Sequence, residues 1–170
     1  KEIGDRCVIS SDCSPSGDRQ CDTSSKEGYC TIQGCDYGTC PEEATCVRFF
    51  TGSFGNKACD PFSEDNLSLQ EPPAPPAECP PGAECRTDNC SLDELCGFAE
   101  HCVPRSSEKR FCMRTCDSDD DCRDGYECRD LAKMKAHGGE PVLEPGLEID
   151  DSAPKFCATA IQPSQAGISA

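Results

Sequence analysis

The chain has no tryptophan, two methionines and two histidines in 170 residues, and aromatic side chains make up only 6% of it. Its hydrophobic share of 35% counts 18 cysteines; apart from them, about a quarter of the residues are apolar. So little apolar material excludes a large oil-like core. Ordering each residue costs about 1 to 2 kcal/mol of backbone entropy, and a core this thin leaves covalent cross-links to restrict the unfolded chain instead.

Basic residues are also scarce, since 16 Lys and Arg stand against 32 Asp and Glu, a formal net charge of −16. Nucleic acid and anionic membrane surfaces repel such a polyanion, which argues against both as partners. No apolar run approaches the roughly 20 residues of a bilayer-spanning helix, and Lys1-Glu2-Ile3-Gly4 is not the apolar stretch of a secretory leader. Cysteine at about one residue in ten is the composition of a disulfide scaffold made in an oxidising compartment. The expected location is therefore extracellular, at the cell surface or in the periplasm, with a leader or anchor removed ahead of Lys1.

What the chain does have is a repeat of cysteines. Cys7, Cys13, Cys21 and Cys30 are separated by 5, 7 and 8 residues, and Cys35, Cys40, Cys46 and Cys59 by 4, 5 and 12. Cys90, Cys96, Cys102 and Cys112 follow with gaps of 5, 5 and 9, then Cys116, Cys122, Cys128 and Cys157 with gaps of 5, 5 and 28. Taken in chain order these quartets make two eight-cysteine modules. Gly28-Tyr29-Cys30 matches Arg110-Phe111-Cys112 in phase, and the run from Thr39 to Cys46 matches that from Asp121 to Cys128.

Four cysteines allow three connectivities. A short first gap lets the chain reverse between the first and second cysteine, so interleaved bridges, first to third and second to fourth, would pin two antiparallel segments. The expected bonds are Cys7 to Cys21, Cys13 to Cys30, Cys35 to Cys46, Cys40 to Cys59, Cys90 to Cys102, Cys96 to Cys112, Cys116 to Cys128 and Cys122 to Cys157. Cys79 and Cys85 bracket Pro80-Pro81-Gly82 and are expected to bond to each other.

The fold class expected is small and disulfide-rich, with short β-hairpins, helical turns and little regular secondary structure. Residues 1–59 form the first module and 79–157 the second. Residues 60–78, with four prolines between Pro72 and Pro76, favour an extended polyproline spacer, and 158–170 read as a flexible tail. Ser91 to Leu95 can start a helical turn with Ser91 as its cap. Arg48 to Thr51 looks like a strand entering a glycine turn.

Candidate sites were weighed by their chemistry. Thiolate metal sites need C-x2-C knuckles, and the closest cysteines here, Cys112 and Cys116, are three residues apart. Calcium fits better, because Asp117, Asp119 and Asp121 occupy alternate positions and offer hard oxygens; yet Cys122 stands where an EF-hand needs Gly, which favours a solvated acidic turn and no cofactor. No nucleophile signature surrounds His101 or His137, so no catalytic residue is assigned. The long acidic loop 129–156 mixes Val142, Leu143, Leu147 and Ile149 with carboxylates, the pattern of an extended recognition segment. A basic cluster of Arg105, Lys109, Arg110 and Arg114 precedes the acidic turn.

The run Cys116-Asp117-Ser118-Asp119-Asp120-Asp121-Cys122-Arg123-Asp124-Gly125-Tyr126-Glu127-Cys128 resembles the C-x-S-D-x-D-C-x-x-G-x-x-C pattern of Dickkopf-type N-terminal cysteine-rich regions. It is similar too to cysteine-rich repeats of exported proteins and lipoproteins of myxobacteria and related bacteria, and Cys7 to Cys13 is a second partial copy. The resemblance implies the class, exported and disulfide-bonded. Together these readings point to a non-enzymatic structural or binding protein, a subunit or accessory of a larger assembly, whose partner is another protein and not a small-molecule substrate. A disulfide-knotted protease inhibitor presenting loops 47–58 and 103–111 is the first alternative, and a calcium-stabilised adhesion module the second.

Overall fold

Segments this short between cysteines cannot build long elements, and one arrangement is used four times instead. The structure, a computed structural model, describes residues 1–50, 59, 90, 94–97, 100–147 and 149–161. In each unit two strands pair antiparallel with a cysteine on one directly opposite a cysteine on the other. Strand β1 (Gln20–Asp22) pairs with β2 (Tyr29–Thr31), placing Cys21 opposite Cys30. Strands β3 (Ala44–Phe50) and β6 (Glu108–Arg114) place Cys46 opposite Cys112. Between them β4 (Glu94–Cys96) and β5 (Cys102–Pro104) oppose Cys96 and Cys102. Finally β7 (Tyr126–Arg129) and β9 (Phe156–Thr159) oppose Cys128 and Cys157.

Opposed cysteines point to the same face of their strand pair, and each sulfur reaches down to the segment that enters the unit. The bonds are Cys7–Cys21 with Cys13–Cys30, Cys35–Cys46 with Cys40–Cys112, Cys59–Cys96 with Cys90–Cys102, and Cys116–Cys128 with Cys122–Cys157. Their Cα–Cα separations, 5.5 to 5.9 Å, lie at the usual disulfide spacing. First-to-third and second-to-fourth pairing therefore holds in every unit, but the quartets are not consecutive.

Two expected bonds are corrected. Cys40 bonds Cys112 and not Cys59, and Cys96 bonds Cys59 and not Cys112. The physical reason is register: β3 finds its seven-residue mate in β6, so Cys112 becomes the fourth member of the second quartet. The unit of Cys59, Cys90, Cys96 and Cys102 is nested inside it, within the excursion from β3 to β6. Segments 1–59 and 79–157 consequently share a sheet and two bridges. Cys79, Cys85, the Pro-rich segment 60–78 and the glycine turn after Phe50 lie outside the described residues, as do Ser91 to Asp93. The helical turn foreseen over Ser91–Leu95 is not what its last two residues form, because pairing with β5 puts Glu94 and Leu95 in a strand.

The first, second and fourth units pack together around Ile3, Tyr29, Val47, Met113, Tyr126 and Phe156. The described residues of the nested unit have a separate cluster, of Cys59, Cys90, Cys96 and Cys102. Tyr29 sits at the junction: its hydroxyl donates to the Cys157 carbonyl at 3.0 Å and accepts from the Arg114 amide at 2.9 Å. The outer edge of β6 is closed by residues 32–34, with the Cys112 amide donating to Ile32 and the Gly34 amide to Arg110. Strand β9 runs through Thr159, two residues into the segment read as a flexible tail.

Loop 129–156 is folded onto this sheet. It opens with a helix (Leu131–His137), capped by Asp130, whose carboxylate accepts from the Lys133 amide. It continues through β8 (Glu140–Pro141) on the free edge of β3, giving the order β6-β3-β8. Arg48 and Glu140 face each other across this pair, and their side chains form a buried ion pair at 3.1 Å. Val142 and Ile149 are buried in the shared core, and Leu143 packs against it. Of the four apolar residues expected to meet a partner, Leu147 alone is well exposed, at 53%. The correction has a simple cause: apolar side chains among carboxylates suit a folded-back segment as well as a docking one. Ile149→Val should cost about 1 kcal/mol, whereas Leu147→Ala, which removes more atoms, should stay within about 0.5 kcal/mol, as read by urea unfolding.

Candidate binding cleft

Alternation along β3 and β6 puts Phe49, Phe111 and Met113 on one face of the central sheet, beside Val47. Tyr29 and Thr31 of β2 stand over that face from one side, and Tyr126, Ala158 and Thr159 of β7 and β9 from the other. Between them lies a cleft of about 340 Å³, completed by Asp22, Ser24, Ser25, Lys109 and Arg129. Phe49 and Phe111 are half-buried, with ring centroids 6.2 Å apart. Phe49 is held from behind by Phe156, edge-on at 6.2 Å.

The tyrosines form a rigid wall. Their rings are 5.5 Å apart, and the guanidinium of Arg123 lies over Tyr126, 4.5 Å from its centroid. Two buried guanidinium nitrogens of Arg123, Nε and Nη1, have no hydrogen-bond partner among the described residues, and the ring faces take that place. Burial pushes both tyrosine hydroxyls above their ordinary pKa, so they stay protonated as donors. The Tyr126 hydroxyl donates to the Lys26 carbonyl at 2.7 Å.

Arg129 is almost wholly buried, and all three of its guanidinium nitrogens donate within the fold. Nε donates to Glu127 at 3.1 Å, Nη1 to the carbonyls of His137 and Gly138, and Nη2 to that of Thr159. Burial pulls its pKa down, and the Glu127 carboxylate opposes that shift. The same Glu127 oxygen lies 2.6 Å from His137 Nδ1, so this histidine is tied into the fold.

The acidic turn does structural work. Asp121 accepts from the amides of Asp117 and Ser118, at 2.8 and 3.2 Å. Asp12, in the equivalent place before Cys13, accepts from Val8 and Ile9, and Thr39, before Cys40, accepts from Asp36. The residue before the second cysteine thus closes the entering turn in three units. Asp119 is also committed, to the Cys128 amide at 2.8 Å and the Lys133 ammonium at 3.2 Å. Among the described residues, the ligand-type groups that bring three donor atoms within 4.8 Å of one another are cystine sulfurs.

Hydrogen bonds from these backbone amides hold Asp12 and Asp121 below the ordinary aspartate value of 3.8. A carboxylate whose folded pKa is depressed stabilises the fold above its unfolded value, and that contribution is lost as pH falls through the lowered one. The melting temperature should therefore drop on acidification below about pH 4. Asp12→Asn with Asp121→Asn should flatten that drop in a series of melts.

The basic cluster is mostly consumed in pairing. Arg110 binds Glu108 and Asp36 at 2.7 and 3.0 Å, and Arg114 binds Glu2 at 3.0 Å. Residues 103–111, one candidate inhibitory loop, run through β5, a 3-10 turn at Arg105–Ser107 and β6. In the other, 47–50 belong to β3 and 51–58 lie outside the described residues. Lys109 differs from its neighbours: it is exposed at the cleft mouth and makes no hydrogen bond or ion pair among the described residues.

Sequence reasoning missed the cleft, whose rings are far apart in the chain. One signal was available, because Tyr29-Cys30, Phe111-Cys112 and Phe156-Cys157 each place an aromatic residue before a fourth cysteine. Among the described residues no helix is long and apolar enough to cross a membrane. Eight cystines among the described residues, around so small a core, are consistent with a secreted or extracellular protein. No protein-family model, no curated protein and no solved structure matches the chain.

Proposed function

We propose that the chain is an exported, non-catalytic binding protein, a subunit or accessory of a cell-surface, periplasmic or extracellular assembly, which receives a protein partner in the aromatic cleft. The observation that supports this is the origin of the cleft walls, which come from three separately clamped strand pairs. Their shape is set by disulfides before a partner arrives, so little ordering entropy is lost on binding. Aromatic rings in a concave, preformed site are the usual anchors of an interface. No cofactor enters this reading, and it takes the Cys116 to Cys128 motif as a repeat of the Dickkopf-like class without signalling activity.

Thr159 lines the cleft at the exposed end of β9, where a larger side chain can fill the cleft without entering the core. The native, non-reduced protein should capture a partner from its own envelope or medium, and Thr159→Trp should lose it. Equal capture by both proteins would contradict the reading. Deleting the long loop is not a usable control, because that segment carries Met134, Val142 and Ile149 of the core.

A further inference from the structure

The chemistry of the occupant follows from which groups in the cleft remain unused, and it rests on the cleft being where the partner binds. The hydroxyls of Tyr29, Tyr126 and Thr31 all donate to backbone carbonyls of the fold. Asp22, the one carboxylate in the lining, accepts from the amide and hydroxyl of Ser24 and the hydroxyl of Ser25. Of the two cations, Arg129 is committed as described above. Besides the Thr159 hydroxyl, what the cleft offers a visitor is ring surface and one ammonium without a partner among the described residues, that of Lys109.

The two are adjacent. Phe49 and Lys109 are directly paired across β3 and β6, an arrangement that sets Cβ atoms about 5 Å apart. An occupant that satisfies both has an apolar side chain within a few bonds of an anion. A peptide running through the cleft would bring amides and carbonyls that need partners, while β6 is flanked by β3 on one edge and, along Arg110 to Cys112, by residues 32–34 on the other. A chain end brings fewer such groups and supplies the charge itself. At about 340 Å³ the cleft is at the small end of ligand sites, enough for one large side chain.

We infer that the occupant is the C-terminal residue of a partner chain, with an aromatic or large aliphatic side chain against Phe49, Phe111 and Tyr126 and its α-carboxylate on Lys109 Nζ. The partner's remaining surface need not be acidic, since a single carboxylate meets a local cation and screening confines the repulsion of the −16 chain to about 8 Å at physiological salt.

The probes are the peptide acetyl-Gly-Ser-Gly-Phe as free acid, the same peptide as C-terminal amide, and 3-phenylpropionate, titrated into the non-reduced full chain by calorimetry or NMR. The acid should bind one to one and about tenfold tighter than the amide. Lys109→Gln should bring the acid down to the level of the amide and leave the amide unchanged; being exposed and unpartnered, this residue can be replaced without disturbing the fold. Equal binding of acid and amide, or acid binding unaffected by Lys109→Gln, would overturn the inference while leaving the cleft a binding site. So would binding of neither peptide alongside partner capture still lost in Thr159→Trp. If 3-phenylpropionate binds as tightly as the peptide acid, a free acid and not a chain end is the ligand. Partner capture that survives Thr159→Trp overturns the function proposed for the cleft itself.

Discussion

Gly28→Ala is expected to cost more than about 4 kcal/mol, in the range reserved for substitutions that a fold cannot absorb. Gly28 adopts φ +74°, and a Cβ there would lie 1.9 Å from the Cys7 carbonyl oxygen and 2.9 Å from the Cys7 sulfur. Neither is the free end of a flexible side chain. Relief would need displacement of the backbone that carries the Cys7–Cys21 bridge. Gly17 is the matched control, since it has φ +84° with nothing within 4 Å of the added Cβ. Gly17→Ala should cost only the left-handed backbone penalty, about 1 to 2 kcal/mol. Urea unfolding of both oxidised variants separates steric exclusion from backbone preference; similar losses would mean that Cys7 does not pass so close to Gly28.

The second large effect concerns the bridge that joins the two halves of the chain. Cys40 and Cys112 are 72 residues apart, against 11 for Cys35 and Cys46 in the same unit. In the chain-entropy treatment the longer loop restricts the unfolded state by about 4.4 kcal/mol and the shorter by about 3 kcal/mol. Replacing Cys40 and Cys112 together by Ala should accordingly destabilise more than replacing Cys35 and Cys46. Cys112 is fully buried, so part of the loss also comes from an emptied core position. A reversed order of the two double variants would show that the excursion between β3 and β6 is held closed by something other than this bond.

The pairing rule was legible in the sequence, and the membership of two quartets was not. Interleaving follows from a short first gap, a local property, in three of the units, while the nested one keeps it across the 30 residues between Cys59 and Cys90. Choosing between Cys59 and Cys112 depends on which strand β3 takes as its mate, and that contact spans more than 60 residues. The dipeptide before the cysteine pointed to the answer: Ala58-Cys59 lacks the aromatic residue of Tyr29-Cys30, Phe111-Cys112 and Phe156-Cys157. Those rings recur because the residue before the fourth cysteine faces the shared core.

The acidic turn shows a different limit. Alternating carboxylates look alike whether they gather around a cation or cap backbone amides, and Asp121 caps. Its match with Asp12 in the first unit, in the same place before the second cysteine, was visible as sequence and acquired meaning only through the bonds. The cleft was the least legible feature. Tyr29, Phe49, Phe111 and Tyr126 come from three strand pairs whose mutual placement is a tertiary property, while Lys109 stood out only as one member of a basic cluster whose other charges turned out to be paired or distant.

Peptide mapping of the native, non-reduced protein by mass spectrometry decides whether one cystine unit is nested inside another. The bonds expected are Cys40–Cys112 and Cys59–Cys96, so proteolysis between the cysteines should leave a fragment around Cys40 covalently attached to one around Cys112. Fragments joining Cys40 to Cys59 and Cys96 to Cys112 would contradict it, and would make the halves of the chain two separately bonded modules.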